Sequence, residues 1–269
     1  MPEEISGRDL TGARIERIDL THAELDWIDC SDAKVEHVSF RGARLREIDF
    51  TGARLRGVEL SHVEVFGDLD DVRINTIDVA PLVEAELQRL HPERARLHPT
   101  DAAGHREAWA ALDAVWEQTV ERARALPPHL LHEQVGGEWS FIETLRHLTF
   151  AIDSWLCRVI LGEPSPWSPL DLPWDEMPDT PGVPRDRTAR PSLDEALALF
   201  SDRQARVRAH LAVLTDDELA ADTTPVPGAG WPPPDEYPVR MVLGILLNEE
   251  FWHRQFAERD LAILAATTA

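Results

Sequence analysis

Two cysteines, one lysine and the lack of any long apolar run set the first limits on this 269-residue chain. Cys30 and Cys157 lie far apart and form neither a CxxC pair nor a disulfide framework. No run approaches the ~18 apolar residues of a membrane span. The opening MPEEISGRDL lacks the basic and apolar segments of an export signal. Cationic cover is scarce too. A net charge of −22 argues against a general binder of nucleic-acid phosphates and against docking on anionic membranes. The expectation is a soluble cytoplasmic protein with no nucleic-acid and no membrane partner. Lys34 is the sole lysine among arginines, which reflects genomic base composition rather than function. Also missing are GxGxxG, a Walker loop, GxSxG and any cysteine-rich zinc pattern. A hydrophobic share of 43% is present, enough to pack one large domain or two ordinary ones.

A repeat is the first positive feature. Residues 6–65 divide into twelve blocks of five, among them SGRDL, TGARI, ERIDL, RGARL and TGARL. The fifth position runs Leu10, Ile15, Leu20, Leu25, Cys30, Val35, Phe40, Leu45, Phe50, Leu55, Leu60, Val65. The third is Ala13, Ile18, Ala23, Ile28, Ala33 and their successors, with Arg8 the one charged exception. Apolar residues at i and i+2, recurring every five, fit neither a helix nor a plain strand. They suit a square coil whose short sides each turn two side chains inward.

The blocks "GARLR" and "GARIE" resemble the pentapeptide-repeat family. The resemblance implies a right-handed quadrilateral β-helix of three coils, about 14 Å of stack at sheet spacing. Some members imitate DNA and bind topoisomerases. Residues 1–66 carry 14 acids and 9 bases, and Arg14, Arg41, Arg44, Arg54 and Arg56 dilute any phosphate-like row, so the segment is a poor duplex mimic. A structural cap or a partner-docking module, including a homodimer contact, is the plainer expectation.

Residues 67–100 are too apolar for a loose linker and read as an ordered connector. Within it, "VRINTIDV" alternates like a strand and "PLVEAELQRL" opens a helix that His91-Pro92 ends. Four longer helical stretches follow: about 101–126, Ser140 to Gly162, about 192–214, and Pro238 to Leu264. Ser140 with Glu143, and Ser192 with Glu195, have capping-box spacing. A four-helix bundle is the economical solution. The Pro-rich stretches 163–191 and 222–238 between helices carry Trp167, Trp174 and Trp231, which could roof a pocket.

The last helix carries the chemistry. At 100° per residue its apolar stripe centres on Ile245, with Met241, Val242, Trp252, Phe256 and Ile263. Glu249 falls about 40° and His253 about 80° from that centre, so carboxylate and imidazole sit one turn apart beside the stripe. A buried carboxylate there must be paired, hydrogen-bonded or coordinated. A simple Glu249–His253 bond or a Glu249–Arg pair would also satisfy it. His147 lies nearly opposite the aliphatic stripe of its own helix and reads, on periodicity, as a surface histidine. His105 and His210 read as residues of charged helix faces, Cys157 as a small core residue, and Trp155 and Trp252 as core packing before cleft lining.

"GEWSFIETLRHLTFAIDSWL" and "LLNEEFWHRQFAERDL" together resemble the second and last helices of the DinB/YfiT-like family, over about residues 101–266. The resemblance implies a divalent metal, zinc or nickel in the family, held by one histidine of the second helix and an HxxxH pair of the last. His147 and His253 match family histidines, and Glu249 stands where the first histidine of HxxxH would be. His147, Glu249 and His253 would then form a 2-His-1-carboxylate set, harder than an all-histidine one and open to manganese or iron as well. The implied activity is a thiol S-transferase or related detoxification enzyme. Its cofactors would be the metal and a low-molecular-weight thiol, and its substrate a small-molecule electrophile. The alternative is a binding or sensing module without catalysis. The chain as a whole is expected to be a pentapeptide-repeat β-helix over 1–66, a connector over 67–100 and a DinB-like four-helix bundle over 101–269.

Overall fold

In the repeat segment the five-residue sequence period is also a backbone period. A computed structural model describes residues 7–267 except 18, 24, 26, 27, 46, 47 and 68. The chain divides into two units, Met1–Phe66 and Gly67–Ala269. In the first, the second residue of every described block, from Gly7 to His62, has φ between +56° and +74°. Every tenth residue closes a β-turn. Ala13, Ala23, Ala33, Ala43 and Ala53 donate their N–H to the carbonyls of Leu10, Leu20, Cys30, Phe40 and Phe50 at 2.9–3.0 Å. Positive φ at the third turn residue alone is the type II signature, which Gly12, Gly42 and Gly52 adopt without a Cβ clash. The residue before each turn secures it. The Asp9, Asp19, Asp29 and Asp49 carboxylates accept from the N–H of Thr11, Thr21, Ser31 and Thr51 at 2.7–3.0 Å.

The rows expected to face inward are exposed, from 51% at Leu45 to 74% at Val65. Ile18 lies outside the described residues. Among the described residues of this unit there is no strand. Regularly recurring turns are therefore present, and stacked sheet-like sides are not seen among the described residues. The physical reason is one of range: a turn is closed by groups within five residues, whereas burying the rows requires one coil to cover the next.

The second unit opens on a small hairpin. Strands β1 (Arg73–Ile74) and β2 (Ile77–Asp78) pair antiparallel, with Ile74 opposite Ile77. Asn75 and Thr76 between them both have φ > 0, as a tight primed turn requires. Helix α1 (Ala80–Leu90) starts with Pro81 in its first turn and stops at His91. This connector packs on the helical region: the Arg94 guanidinium lies 4.8 Å over the Phe251 ring, and Arg254 pairs with Glu93 at 3.4 Å.

Four long helices make the body: α2 (Ala102–Arg124), α3 (Phe141–Ile152), α4 (Leu193–Val213) and, after the one-turn α5 (Asp216–Leu219), α6 (Val239–Ala266). Both α2 and α3 pack on α4 and on α6. Their starts are set locally. Asp101 caps α2, and full capping boxes at Ser140/Glu143 and Ser192/Glu195 start α3 and α4. Beyond Ile152 the third helix widens into π-helical turns over Asp153–Ile160, ending at Gly162 with φ 76°. No helix among the described residues is long and apolar enough to cross a membrane.

Two buried arginines hold the crossover loops. Proline has no N–H, so a Pro-rich loop offers carbonyls without matching backbone donors. Arg146, 1% exposed, donates to the carbonyls of Leu170, Asp186 and Ala189 at 2.5–3.3 Å. Arg158, equally buried, donates to those of Pro164, Val226, Gly228 and Pro232 at 2.6–3.3 Å. A guanidinium's five donors suit this task. Gly230 lets the second loop close on Arg158. A Cβ there would lie 2.5 Å from the Trp167 ring and 2.8 Å from the guanidinium carbon, at a φ of +149°. Gly230→Ala is therefore expected to cost about 2 kcal/mol of stability, as overpacking does, read from the denaturant midpoint. An unchanged midpoint would contradict the close approach.

Candidate metal centre

The buried face of α6 differs from the expected stripe. Val242, Leu243, Leu246, Leu247, Phe251, Ala257 and Leu261 are buried, whereas Met241 and Ile263 are 41% and 45% exposed. The most buried carboxylate of the helix is Glu250, at 1% exposure, which accepts from Gln204 Nε2 at 2.6 Å. Burial pushes its carboxyl well up, and Gln204 only partly offsets this. Helix α6 is covered by α2, by α3 and by the π-helical segment. The inner face is therefore the row through Leu243, Leu246, Leu247, Phe251 and Leu261, with Glu250 set in it, rather than the stripe centred on Ile245.

About 100° around the helix from Glu250, the three expected ligands meet at Glu249. One ligand atom from each of His147, Glu249 and His253 lies within 4.8 Å of the others. His147 comes from the middle of α3, and its expected surface position is corrected: it is 7% exposed. Periodicity failed there because the crossover loop covers that side of α3. The Leu172 carbonyl of the loop lies 3.0 Å from His147 Nδ1. Glu249 and His253 come from successive turns of α6, with Glu249 Oε2 3.0 Å from His253 Nε2 and 3.3 Å from His147 Nε2. The Glu249–His253 bond is thus present, but among the described residues no arginine pairs with Glu249; its partners are the two imidazoles.

The donor set fits a divalent cation. With Nδ1–H of His147 donating to Leu172, its Nε2 carries a lone pair, and that lone pair faces a carboxylate oxygen. Two lone pairs 3.3 Å apart repel unless a proton or a cation lies between them. A backbone carbonyl that fixes the imidazole tautomer is the usual outer partner of a metal-ligating histidine. Burial opposes ionisation of Glu249, but the hydrogen bonds and charge of His147 and His253 in their protonated forms outweigh it and hold the carboxyl well below the usual range. Burial pushes the His253 imidazole down, against the pull of Glu249. Anionic Glu249 and neutral His253 are the protonation states in which each presents a lone pair to a metal.

Aromatic rings surround the set. The Trp139 indole lies 4.3 Å from the His147 ring and stacks on His253 at 5.6 Å and 15°. Phe150 is 6.1 Å from His147, Trp174 is 6.3 Å from Phe150, and Trp231 is 4.9 Å from Trp174. Trp167 instead donates to Ser154 Oγ at 3.0 Å, away from the three ligands. Trp155 and Trp252 pack against the hydrophobic core, as read from the sequence. Cys157 is fully buried, and burial together with Asp153 pushes its thiol up, so it is no nucleophile. His105 is a correction. It is 2% exposed with Nδ1 2.9 Å from the Asp101 carbonyl, because the start of α2 is covered rather than solvated.

A helical bundle that brings two histidines and one carboxylate together offers a donor set of the kind that holds divalent metals between helices. The family model described as the DinB superfamily matches residues 111–257, more than half of the chain, and the chain belongs to that superfamily. A second model, for pentapeptide repeats, matches eight copies over residues 28–64. No curated protein and no solved structure matches the chain.

Proposed function

We propose that the helical unit is a metal-dependent enzyme of the thiol S-transferase kind, with His147, Glu249 and His253 as the metal ligands. The single observation that supports this is the convergence of their three ligand atoms within 4.8 Å, with Leu172 fixing the His147 tautomer. When bound, a divalent metal supplies Lewis acidity that favours a thiolate near neutral pH. Glu249 makes the set harder than three histidines would, which admits manganese and iron(II) beside zinc and nickel. In the overall reaction, the S–H bond of a small thiol and the carbon–leaving-group bond of an electrophile give way to an S–C bond and the protonated leaving group. The chain's own residues bind and orient the two substrates, and the aromatic surround excludes water from them. The reducing cytoplasm, where such thiols are plentiful, is the natural setting. For the repeat segment we propose a right-handed quadrilateral β-helix that docks a protein partner or a second copy of the chain. The left-handed residue at the second position of every described block supports it.

The test is metal content of the purified full chain by elemental mass spectrometry, beside His147→Ala and Glu249→Ala. Near-stoichiometric metal in the parent, lost in both variants, is the expected result. A parent that stays metal-free after incubation with zinc, nickel, manganese and iron(II) would overturn the reading and leave a binding module.

A further inference from the structure

The rings around the three ligands bear on which substrates they accept. Trp139 lies against both imidazoles, so a group reaching the open metal positions from that side meets the indole first. Its one hydrogen bond, Nε1 to Asp175 Oδ1, is long at 3.4 Å. Gly136 and Gly137 precede it with φ of +64° and +82°. Ser140, directly after it, is locked in the capping box of α3. The indole can therefore shift without disturbing the helix that carries His147. From the other direction, Phe150, Trp174 and Trp231 form a connected series of rings that begins at His147. Trp139, Trp174 and Trp231 are each only partly buried. Partly exposed indoles grouped beside a polar donor set are a feature that core packing does not explain.

We propose that Trp139 is the specificity-determining residue of this centre, and that the ligands it selects are flat and conjugated: an aromatic ring carrying one metal-binding donor group. Trp139 already stacks nearly parallel on the His253 imidazole, the offset face-to-face geometry that π-systems favour. With that face taken by the imidazole, a planar substrate stacks on the opposite face of the partly exposed indole. An aliphatic substrate with the same donor buries less area and gains no stacking. Trp139 acts by contact with the substrate and is not a metal ligand. The inference rests on the metal reading above, and its test is arranged to separate the two.

Cobalt(II) is loaded into the full chain, and its visible absorption reports occupancy of the donor set independently of any activity. Benzohydroxamate and acetohydroxamate, which present the same chelating group on an aromatic and an aliphatic carbon, are then titrated against the cobalt spectrum. The expected result is at least about tenfold tighter binding of benzohydroxamate. Trp139→Ala should reduce that preference to less than about threefold while retaining the cobalt spectrum, and Trp139→Phe should keep most of it. Equal affinities in the parent would overturn the proposal alone, as would a preference that survives Trp139→Ala unchanged. A parent that binds no cobalt would overturn the metal reading, and this inference with it. A Trp139→Ala chain that fails to fold leaves the parent comparison and Trp139→Phe to decide.

Discussion

Arg158→Met is expected to lower the unfolding free energy by about 3–5 kcal/mol, because several buried carbonyls lose a charged donor together. The methionine fills much of the same volume, so the loss isolates the guanidinium. Four carbonyls, of Pro164, Val226, Gly228 and Pro232, lose their donor at once. Each buried carbonyl left unsatisfied costs about 1–3 kcal/mol, less wherever water can reach it. Chemical denaturation of the two chains measures the difference. A loss below about 1 kcal/mol would mean that the loops hold themselves and that Arg158 merely accompanies them. The same variant should also disturb the ring series beside His147, because Trp231 lies in the loop that Arg158 holds.

Asp171→Asn is the second large effect, and it depends on pH. Asp153 and Asp171 are both fully buried. Asp153 Oδ1 accepts from Arg203 Nε at 2.6 Å, and Asp171 Oδ2 from the Ser168 N–H at 3.2 Å. Asp153 Oδ2 and Asp171 Oδ1 have no donor. One proton shared between the two acids satisfies both oxygens and leaves a single negative charge for Arg203. Burial, reinforced by the Asp153 charge, pushes the Asp171 carboxyl up to about 9. The sign follows from linkage. The folded chain keeps a proton that the unfolded chain loses near pH 4. The stability this proton supplies is therefore full below about pH 4, declines as pH rises, and is gone once pH passes about 9. The slope is at most about 1.4 kcal/mol per pH unit. Asparagine places a permanent N–H donor where the shared proton was and still accepts from Ser168. The variant should lose this slope between pH 5 and 9 and overtake the parent at the alkaline end. Parallel stability curves for the two chains would rule out the shared proton.

What could be read from the residues divides along physical range. Helix starts at Ser140 and Ser192, the stop at His91 and the five-residue period of the repeat were legible, whereas the segment around Asn75 read as one alternating strand and not as the hairpin it forms. Each legible feature is decided by hydrogen bonds between groups fewer than five residues apart. The triad His147, Glu249 and His253 was legible only through resemblance for its first member, since periodicity placed His147 on the surface. Arg146 and Arg158 were overlooked, although each is a lone arginine in an otherwise apolar run, LRHL and LCRVIL. That pattern is the signal for a guanidinium buried against carbonyls.

By itself, then, the sequence determined the repeat, the four long helices with their caps, and the spacing that puts Glu249 and His253 on successive turns of one helix. Only the tertiary structure decided that His147 is buried, that Glu250 rather than Glu249 faces the core, and that two arginines hold the proline-rich loops. It also brought Trp139 against the His147 and His253 rings. The reason is that local rules fix where a helix begins and which residues share its face. Which face is inner depends on the loops that cover it, and these are held by contacts spanning up to 74 residues of chain, as between Arg158 and Pro232.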